Sequence, residues 1–327
     1  MVTIKDVAQD AGVAVGTVSK VINGQHVSEK NRKKVEDSIR KLGYQINYYA
    51  KGFKMQKTFT AAVIVPDVRN PFFSEWVYYL EQAFFRHGYK IFLCNTQEDG
   101  EKEEYYFKMA VQNKVDGIVC ISYQEKETPV SEMVPVISLD RHFEQRISCI
   151  CSDNYHGGEL AAMKMIEGGS RELVYIRSGS MISGETLKRG IGFADYCKKK
   201  KIHCRELFLG EEKESIQKRR KLYEKEIRDF VKQHTRKGKP DFDGIYTSTD
   251  WLGGIVLSVL SSQGISIPDQ VQLVGHDGLL DQASGEYILS TIVQPVKELA
   301  EKSVELLLEK MKGTEIEPIT MLPVTFG

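Results

Sequence analysis

The sequence has few of the features that mark secreted or membrane proteins. Its 327 residues include six cysteines, and no two of them form a CxxC pair. No apolar run approaches the roughly 20 residues that cross a bilayer. The first residues, from Met1 to Asp6, lack the apolar core of a signal peptide. We therefore expect a cytoplasmic protein with reduced thiols and no membrane partner.

Catalytic signatures are missing as well. The sequence contains no P-loop, GxSxG, HExxH or zinc-ligand spacing, and its seven histidines are scattered. Gly190 and Gly192 lie inside a helix-like stretch, which is the wrong context for a dinucleotide-binding loop. These absences predict a protein that is not an enzyme and that holds no cofactor or metal.

The overall net charge of zero hides an uneven distribution. Residues 1–57 carry eleven lysines and arginines against five carboxylates, a formal charge of +6, so the rest of the chain is −6. This split is typical of a basic module that meets a polyanion and is carried on an acidic body. From the charge alone, a basic face that is exposed to solvent and binds no polyanion is an equally good interpretation.

Residues 1–46 are predicted to form three short helices. Thr3 and Asp6 have the spacing of a capping box, and Gly12 and Gly43 can end the first and third helices. The positions predicted to face inward are Val7, Ala8, Ala11, Val18, Val21, Ile22, Val35, Ile39 and Leu42. Two short helices around a three-residue turn, followed by a third, predict a helix-turn-helix DNA-binding domain. Residues 47–57 are basic and aromatic without any acid, and we interpret them as a hinge linker.

Residues 58–327 alternate strand-length apolar runs with longer amphipathic stretches. The runs lie near 60–65, 89–94, 115–121, 134–139, 147–151, 172–177, 205–209, 243–247 and 271–275. Such alternation predicts parallel sheets covered by helices, and the length suits two doubly wound subdomains. A ligand would bind in the cleft between them, at the carboxyl ends of the strands. The charged stretch Glu211 to Arg220 is predicted to be a solvated helix start.

Short motifs follow one another along the whole chain. In the head they are Val2–Ala8, Gly16–Gly24, Val27–Glu29 and Leu42–Tyr44; in the body they are Val65–Asp67, Asn70–Phe73, Val115–Val119, Asp140–Arg141, Asp153–Asn154, Gly157–Gly158, Arg189 before Gly192–Phe193, Thr249–Asp250, Ile267–Val271, Gly275–Asp277 and Gln294–Pro295. Taken in this order, they resemble the LacI/GalR family of bacterial transcriptional regulators. The resemblance implies an all-α helix-turn-helix head and an α/β body similar to a periplasmic sugar-binding protein.

The resemblance also implies which residues of the head bind DNA. They are Thr3, Val15, Gly16, Thr17, Ser19, Lys20 and Asn23. The second helix would enter the major groove, where Lys20 can donate to guanine and Val15 can touch a thymine methyl group. Thr17 and Ser19 would donate to phosphates. For these two hydroxyls, the alternative role is hydrogen bonding within their own helix. For Asn23, the alternative role is to end the helix.

The linker resembles the hinge helix of the family, which folds in the minor groove at the centre of a dimer site. Phe53 takes the position of the usual wedge leucine, and Lys51 and Lys54 would lie near phosphates or the groove floor. Gly52 weakens a helix here by about 1 kcal/mol relative to alanine.

The effector-binding residues implied by the resemblance come from both halves of the body. They are Asn70, Phe72, Phe73, Asp140, Arg141, Arg189, Asp250, Trp251 and Asp277. Carboxylates and amides accept bonds from sugar hydroxyls, arginine donates in a fork, and an aromatic ring packs on the apolar sugar face. Arg189 and Asp277 are the strongest candidates, with a structural ion pair or a helix cap as the alternative. For Trp251, core packing is the alternative.

The prediction is therefore a homodimeric, sequence-specific DNA-binding regulator, a repressor, controlled by a small carbohydrate. Its partner would be a near-palindromic double-stranded operator. One alternative is control by a phosphorylated carrier-protein corepressor, and another is a sugar-binding protein that does not bind DNA. The sequence leaves open whether the effector induces or co-represses.

Overall fold

The computed structural model describes residues 2–22, 24–44, 57–122, 133–141, 147–179, 184–210 and 216–327. The chain separates into two compact units, Met1–Thr58 and Phe59–Gly327. Within the described residues, no helix is both long and apolar enough to span a membrane.

The first unit contains three helices, α1 (Ile4–Ala11), α2 (Val15–Ile22) and α3 (Glu29–Leu42). Its core is the cluster predicted from the apolar spacing, with Val7, Val18 and Val35 fully buried. The predicted capping box is confirmed, because the Asp6 amide donates to the Thr3 hydroxyl and the Thr3 amide donates to the Asp6 carboxylate. Gly12 and Gly43 end α1 and α3 in the left-handed conformation that glycine adopts without strain.

The second unit consists of two α/β lobes. The first lobe contains β1 (Thr60–Val65), α4 (Pro71–Arg86), β2 (Lys90–Asn95), α5 (Gly100–Gln112), β3 (Gly117–Cys120), β4 (Val136–Leu139) and β5 (Ser148–Ser152). It is completed by α10 (Val296–Lys310) and β13 (Ile319–Leu322), which come from the end of the chain. Its strands pair in parallel, in the order β13-β5-β4-β3-β1-β2.

The second lobe is built in the same way. It contains α6 (Asn154–Glu167), β6 (Glu172–Arg177), α7 (Lys188–Lys200), β7 (His203–Phe208), α8 (Ile216–Gln233), β10 (Gly244–Thr247), α9 (Asp250–Ser262), β11 (Gln272–Asp277), β12 (Ser290–Val293) and β14 (Thr325–Phe326). A hairpin of β8 (Thr235–Arg236) and β9 (Lys239–Pro240) follows α8. The sheet order is β14-β12-β11-β10-β6-β7, and within this sheet, as described, the pairing of β12 with β14 is antiparallel and the other pairings are parallel.

The chain passes between the lobes at three short connections. They lie between β5 and α6, between β12 and α10, and between β13 and β14. The prediction of two parallel-sheet subdomains is confirmed, but the alternation of apolar runs did not indicate β12, β13 or β14. β12 begins with two polar residues, and the edge strands β13 and β14 are only partly buried, so none of the three forms a continuous apolar run.

Candidate functional site

A cavity of about 220 Å³ lies between the lobes, where the strands of both sheets end. The first lobe lines it with Asp67, Asn70, Phe72, Phe73, Glu98, Ile121, Ser122, Leu139, Asp140 and Arg141. The second lobe and the connections line it with Tyr175, Arg177, Ser178, Gly179, Gly184, Thr186, Leu187, Arg189, Arg219, Ser248, Thr249, Trp251, Asp277 and Gln294. The structure therefore brings together eight of the nine residues predicted to bind an effector.

A buried polar network forms one wall of this cavity around Arg189, in the first turn of α7. The Arg189 guanidinium donates from Nε to Asn154 Oδ1 at 2.6 Å and from Nη1 to the Ser248 carbonyl at 2.6 Å. Nη1 also lies 3.6 Å from Asp277 Oδ1. The Gln294 amide donates to the same carboxylate oxygen at 2.9 Å. Arg189 is thus fixed in place by groups from several elements while still lining the cavity.

The two cavity carboxylates nearest this network have unusual backbones and pKa values. Asp140 has a φ of 56° and Asp277 a φ of 143°, both in the region that non-glycine residues rarely adopt. Burial raises the pKa of Asp140 to about 6, although Arg189 and Asn154 oppose the shift. Burial likewise raises the pKa of Asp277, again against the charge of Arg189. Strained residues with shifted pKa values are typical of ligand-binding sites.

Asp250 is the predicted effector residue that the structure places elsewhere. Its side chain is fully buried behind the cavity wall at the start of α9. Its Oδ2 accepts bonds from the Gly278 and Leu279 amides at 2.9 and 2.8 Å, and its Oδ1 accepts one from the Thr291 hydroxyl at 2.7 Å. The carboxylate is therefore occupied in holding the loop that follows Asp277. The structure therefore places Asp250 outside the residues that line the cavity and in a position that supports this loop.

The aromatic residues of the cavity come from both lobes. Phe72 and Phe73 lie in the first turn of α4 and meet edge to face, with their ring centroids 5.9 Å apart. Trp251 lies in the opposite wall and packs edge-on against Tyr223 at 6.3 Å. Asn70 caps α4, because its side-chain oxygen accepts a bond from the Phe72 amide at 3.0 Å. The side chains can thus offer an apolar ring face from each lobe.

Several lining residues were missed by sequence reasoning, and Arg219 is the clearest case. The stretch Glu211 to Arg220 was predicted to be a solvated helix start. Its first five residues lie outside the described part of the chain, and Arg219 lines the cavity with its side chain four-fifths buried. It forms an ion pair with Glu98 of the first lobe, with Nη1–Oε1 and Nη2–Oε2 distances of 3.0 and 2.9 Å. No local signal indicates a partner 121 residues away in the chain.

The charges in the cavity are largely balanced by ion pairs. Arg177 lies 2.6 Å from Glu206, Arg219 lies 2.9 Å from Glu98, and Arg189 lies 3.6 Å from Asp277. An ion pair already satisfied by its partner attracts a further charge weakly. The cavity therefore suits an uncharged polar ligand with many hydroxyl groups.

The head presents a second candidate site at the start of α2. Val15 is 42% exposed, and Gly16 and Lys20 are exposed on the same helix. Thr17 and Ser19 are partly buried, and the exposed Thr3 uses its side chain to cap α1. A short helix with an exposed amino-terminal half and a buried Val18 and Val21 has the form of a recognition helix. Predictions for Asn23, Lys51, Phe53 and Lys54 fall outside the described residues.

Comparison with known proteins covers both units. Residues 3–47 match the family model described as bacterial regulatory proteins, lacI family. Residues 58–323 match the model described as periplasmic binding proteins and sugar binding domain of LacI family. A sucrose operon repressor of Pediococcus pentosaceus is 31% identical over an alignment of 327 positions, and the alignment covers 98% of this chain and 96% of that protein.

Two solved structures extend the comparison. A periplasmic binding protein/LacI transcriptional regulator of Alkaliphilus metalliredigens, complexed with D-xylulofuranose, is 28% identical with a TM-score of 0.69; the match covers 82% of this chain and 96% of that one. A Lac repressor dimer bound to operator and the anti-inducer ONPF has a TM-score of 0.80 at 20% identity, over 99% and 97% of the two chains. At that identity the second match shows the fold alone.

Proposed function

The chain belongs to the LacI family of bacterial regulatory proteins, and we propose that it represses transcription under the control of a small carbohydrate bound in the cavity between its lobes. The observation that carries the effector assignment is the buried network of Arg189, Asn154 and Asp277 on the cavity wall. Fixed donors and acceptors beside aromatic rings match the hydroxyls and the apolar face of a sugar.

Within that class, the balanced charges favour a neutral sugar over a sugar phosphate. A phosphate that binds Arg219 or Arg177 would compete with Glu98 or Glu206 for that arginine, which costs part of the binding energy. Hydroxyl groups can instead bond to the outer edges of paired arginines and carboxylates without separating them. The effector proposed here is an uncharged mono- or disaccharide.

A thermal-shift screen of the full chain tests this proposal. Neutral sugars, including sucrose, ribose and xylulose, are compared at millimolar concentration with sugar phosphates and nucleobases. A sugar present at 100 times its Kd adds about 2.7 kcal/mol of stability, enough to raise the midpoint by a few degrees. A shift produced only by nucleobases or phosphates would contradict the effector class and leave the DNA assignment in place.

The head carries the DNA-binding function, and we propose that Val15, Gly16 and Lys20 read base edges while Thr17 and Ser19 contact phosphates. A regulator of this kind acts where the chromosome lies, in the bacterial cytoplasm. Ligand binding changes operator affinity only if the sugar binds one arrangement of the lobes better than another. A sugar bound between two lobes meets this condition because it contacts both.

Lys20→Ala is expected to weaken operator binding by about 10- to 100-fold, because the variant loses one side chain that reads a base. The operator is first selected from a randomised duplex pool with the wild-type protein, and affinity is then measured by fluorescence anisotropy. Lys34→Ala is the matched control, since Lys34 is an exposed lysine on α3 outside the predicted reading face. If both variants lose affinity equally for the operator and for unrelated DNA, Lys20 contributes charge and does not read sequence.

Homodimerisation has a candidate surface on the first lobe. Tyr78 and Phe85 are 58% and 73% exposed on one face of α4, seven residues apart. Beside them, Leu93 is exposed on β2, the edge strand of the sheet, on the face that α4 covers. Three exposed apolar side chains on adjoining elements are unusual for a free surface. We propose that a second copy of the chain covers them.

Phe85→Glu is therefore expected to weaken the dimer at least 30-fold, as loss of an aromatic anchor typically does. Sedimentation velocity over a concentration series measures the change. Tyr105→Glu on α5 is the control, because Tyr105 is similarly exposed on another helix. A wild-type dimer constant in the Phe85 variant would exclude this face.

A further inference from the structure

We infer that Glu98 and Arg219 form a clasp that holds the two lobes closed over the cavity before any effector binds. The inference rests on the proposed function in one respect, since the cavity concerned is the proposed effector site. The clasp itself is formed by two side chains of the protein and requires no effector.

The pair has the geometry of a strong ion pair. Two parallel bonds join Nη1 to Oε1 and Nη2 to Oε2, at 3.0 and 2.9 Å. Such fork-to-fork contacts are stronger and more directional than a single contact. The side chains of Arg219 and Glu98 are only 20% and 29% exposed, so salt and water screen them less than they screen a surface pair.

The pair lies at the side of the two sheets that is far from the connections between the lobes. Two of the three connections between the lobes leave β5 and β13, at one edge of the first sheet, whereas Glu98 follows β2 at the opposite edge. In the second sheet, the strands at the connections are β12 and β14, whereas Arg219 lies on α8, which follows β7 at the other edge. With strands about 4.8 Å apart, β5 and β2 are separated by roughly 19 Å. The lobes are thus hinged along one side and clasped along the other.

The loop that carries Glu98 is held in an unusual conformation. Gln97 and Glu98 have φ values of 59° and 61°, two consecutive non-glycine residues in the left-handed region. Bonds from the Glu98 amide to the Thr96 hydroxyl at 3.3 Å and from Lys102 Nζ to the Gln97 side chain at 3.0 Å support the turn. Backbone strain of this kind persists where the surrounding structure fixes it. The carboxylate is therefore presented to the second lobe by a preformed turn.

Asp67 is a second carboxylate that has to be considered as a partner of Arg219. Asp67 also lines the cavity, and its pKa is lowered mainly by a bidentate contact with Arg69, with a smaller contribution from the charge of Arg219. Because Asp67 is engaged by Arg69 within the first lobe, the ion pair that joins Arg219 to the first lobe is made by Glu98. A neutral side chain at position 98 should therefore open the cleft rather than transfer Arg219 to Asp67.

Intrinsic fluorescence can test the clasp without any ligand. The chain has two tryptophans; Trp251 lines the cavity, whereas Trp76 is fully buried in the core of the first lobe. Acrylamide quenching of the full-length protein therefore reports access to the cavity. Glu98→Gln and Arg219→Gln are each expected to raise the open fraction about fivefold. The double variant should be no more open than either single variant, since both remove the same contact.

The matched control is Arg228→Gln. Arg228 lies on the same helix, and its partner Glu224 is 2.8 Å away in the same lobe, so quenching should stay at the wild-type value. Raising the NaCl concentration should increase quenching in the wild-type protein but not in the double variant. Unchanged quenching in the single variants, or additive changes in the double variant, would overturn the clasp. Failure of every carbohydrate to bind would refute the proposed effector and leave these quenching results unaffected.

Discussion

Arg189→Gln is expected to lower the affinity for the carbohydrate effector by at least 100-fold, because truncating one partner of a buried charged pair costs about 2–5 kcal/mol of binding energy. The variant removes the fork that lines the cavity wall and leaves Asp277 buried without its counter-charge. The free energy of unfolding should fall as well, by roughly 3 kcal/mol. Titration calorimetry with the sugar that best stabilises the wild-type protein measures the first effect, and urea unfolding measures the second.

A double variant separates the two roles of Arg189. In Arg189→Gln/Asp277→Asn, the uncompensated carboxylate is gone, so stability should return towards the wild-type value while the affinity stays low. Arg205→Gln is the control for removal of an arginine from the same lobe, since Arg205 pairs with Asp241 and His234 away from the cavity. If Arg189→Gln binds the sugar with wild-type affinity, its network is structural and the proposed site is wrong.

The site residues show how far the sequence could predict this architecture. Motif order placed Asp140, Arg189 and Asp277 together, and the structure confirms their proximity. Asp250 looked equivalent because it stands in the motif Thr249–Asp250, one of those that carry the resemblance. Its oxygens are taken by amides and a hydroxyl 28 to 41 residues further along the chain. Only tertiary structure decides which of two such carboxylates is left for a ligand.

The same limit applies to larger features. Alternating apolar runs predicted the parallel sheets, because buried strands and amphipathic helices have distinct periods. The sequence pattern could not predict that α10 and β13, near the end of the chain, belong to the first lobe. The period of an apolar pattern shows that a helix covers a sheet, but it does not show which sheet. Arg219 was assigned to solvent for a related reason. Its neighbours in the sequence are charged, and its partner Glu98 belongs to the other lobe.

Gly158→Ala is the substitution outside the ligand-contacting residues from which we expect the largest effect. Helices α6 and α7 cross at Gly158 and Gly192, where each glycine faces the backbone of the other helix. A Cβ atom at position 158 would collide with the Arg189 carbonyl oxygen and lie 2.7 Å from the Phe193 amide nitrogen. Backbone atoms cannot rotate away as a side chain can, so α7 must shift. Overpacking of this kind costs about 1–3 kcal/mol and sometimes more.

The shift would also move Arg189, whose Nε and Nη1 bonds are both 2.6 Å long. Effector affinity is therefore expected to fall at least tenfold in Gly158→Ala, although the new methyl group lies in the interface between two helices. Gly254→Ala is the matched control: Gly254 is within α9, and a Cβ atom there meets nothing within 4 Å. That variant should gain about 0.5–1 kcal/mol, because alanine favours the helix over glycine. Urea unfolding and calorimetry on both variants make the comparison. Equal stability of the two would mean that α6 and α7 can separate freely, and the fixed position of Arg189 would then need another explanation.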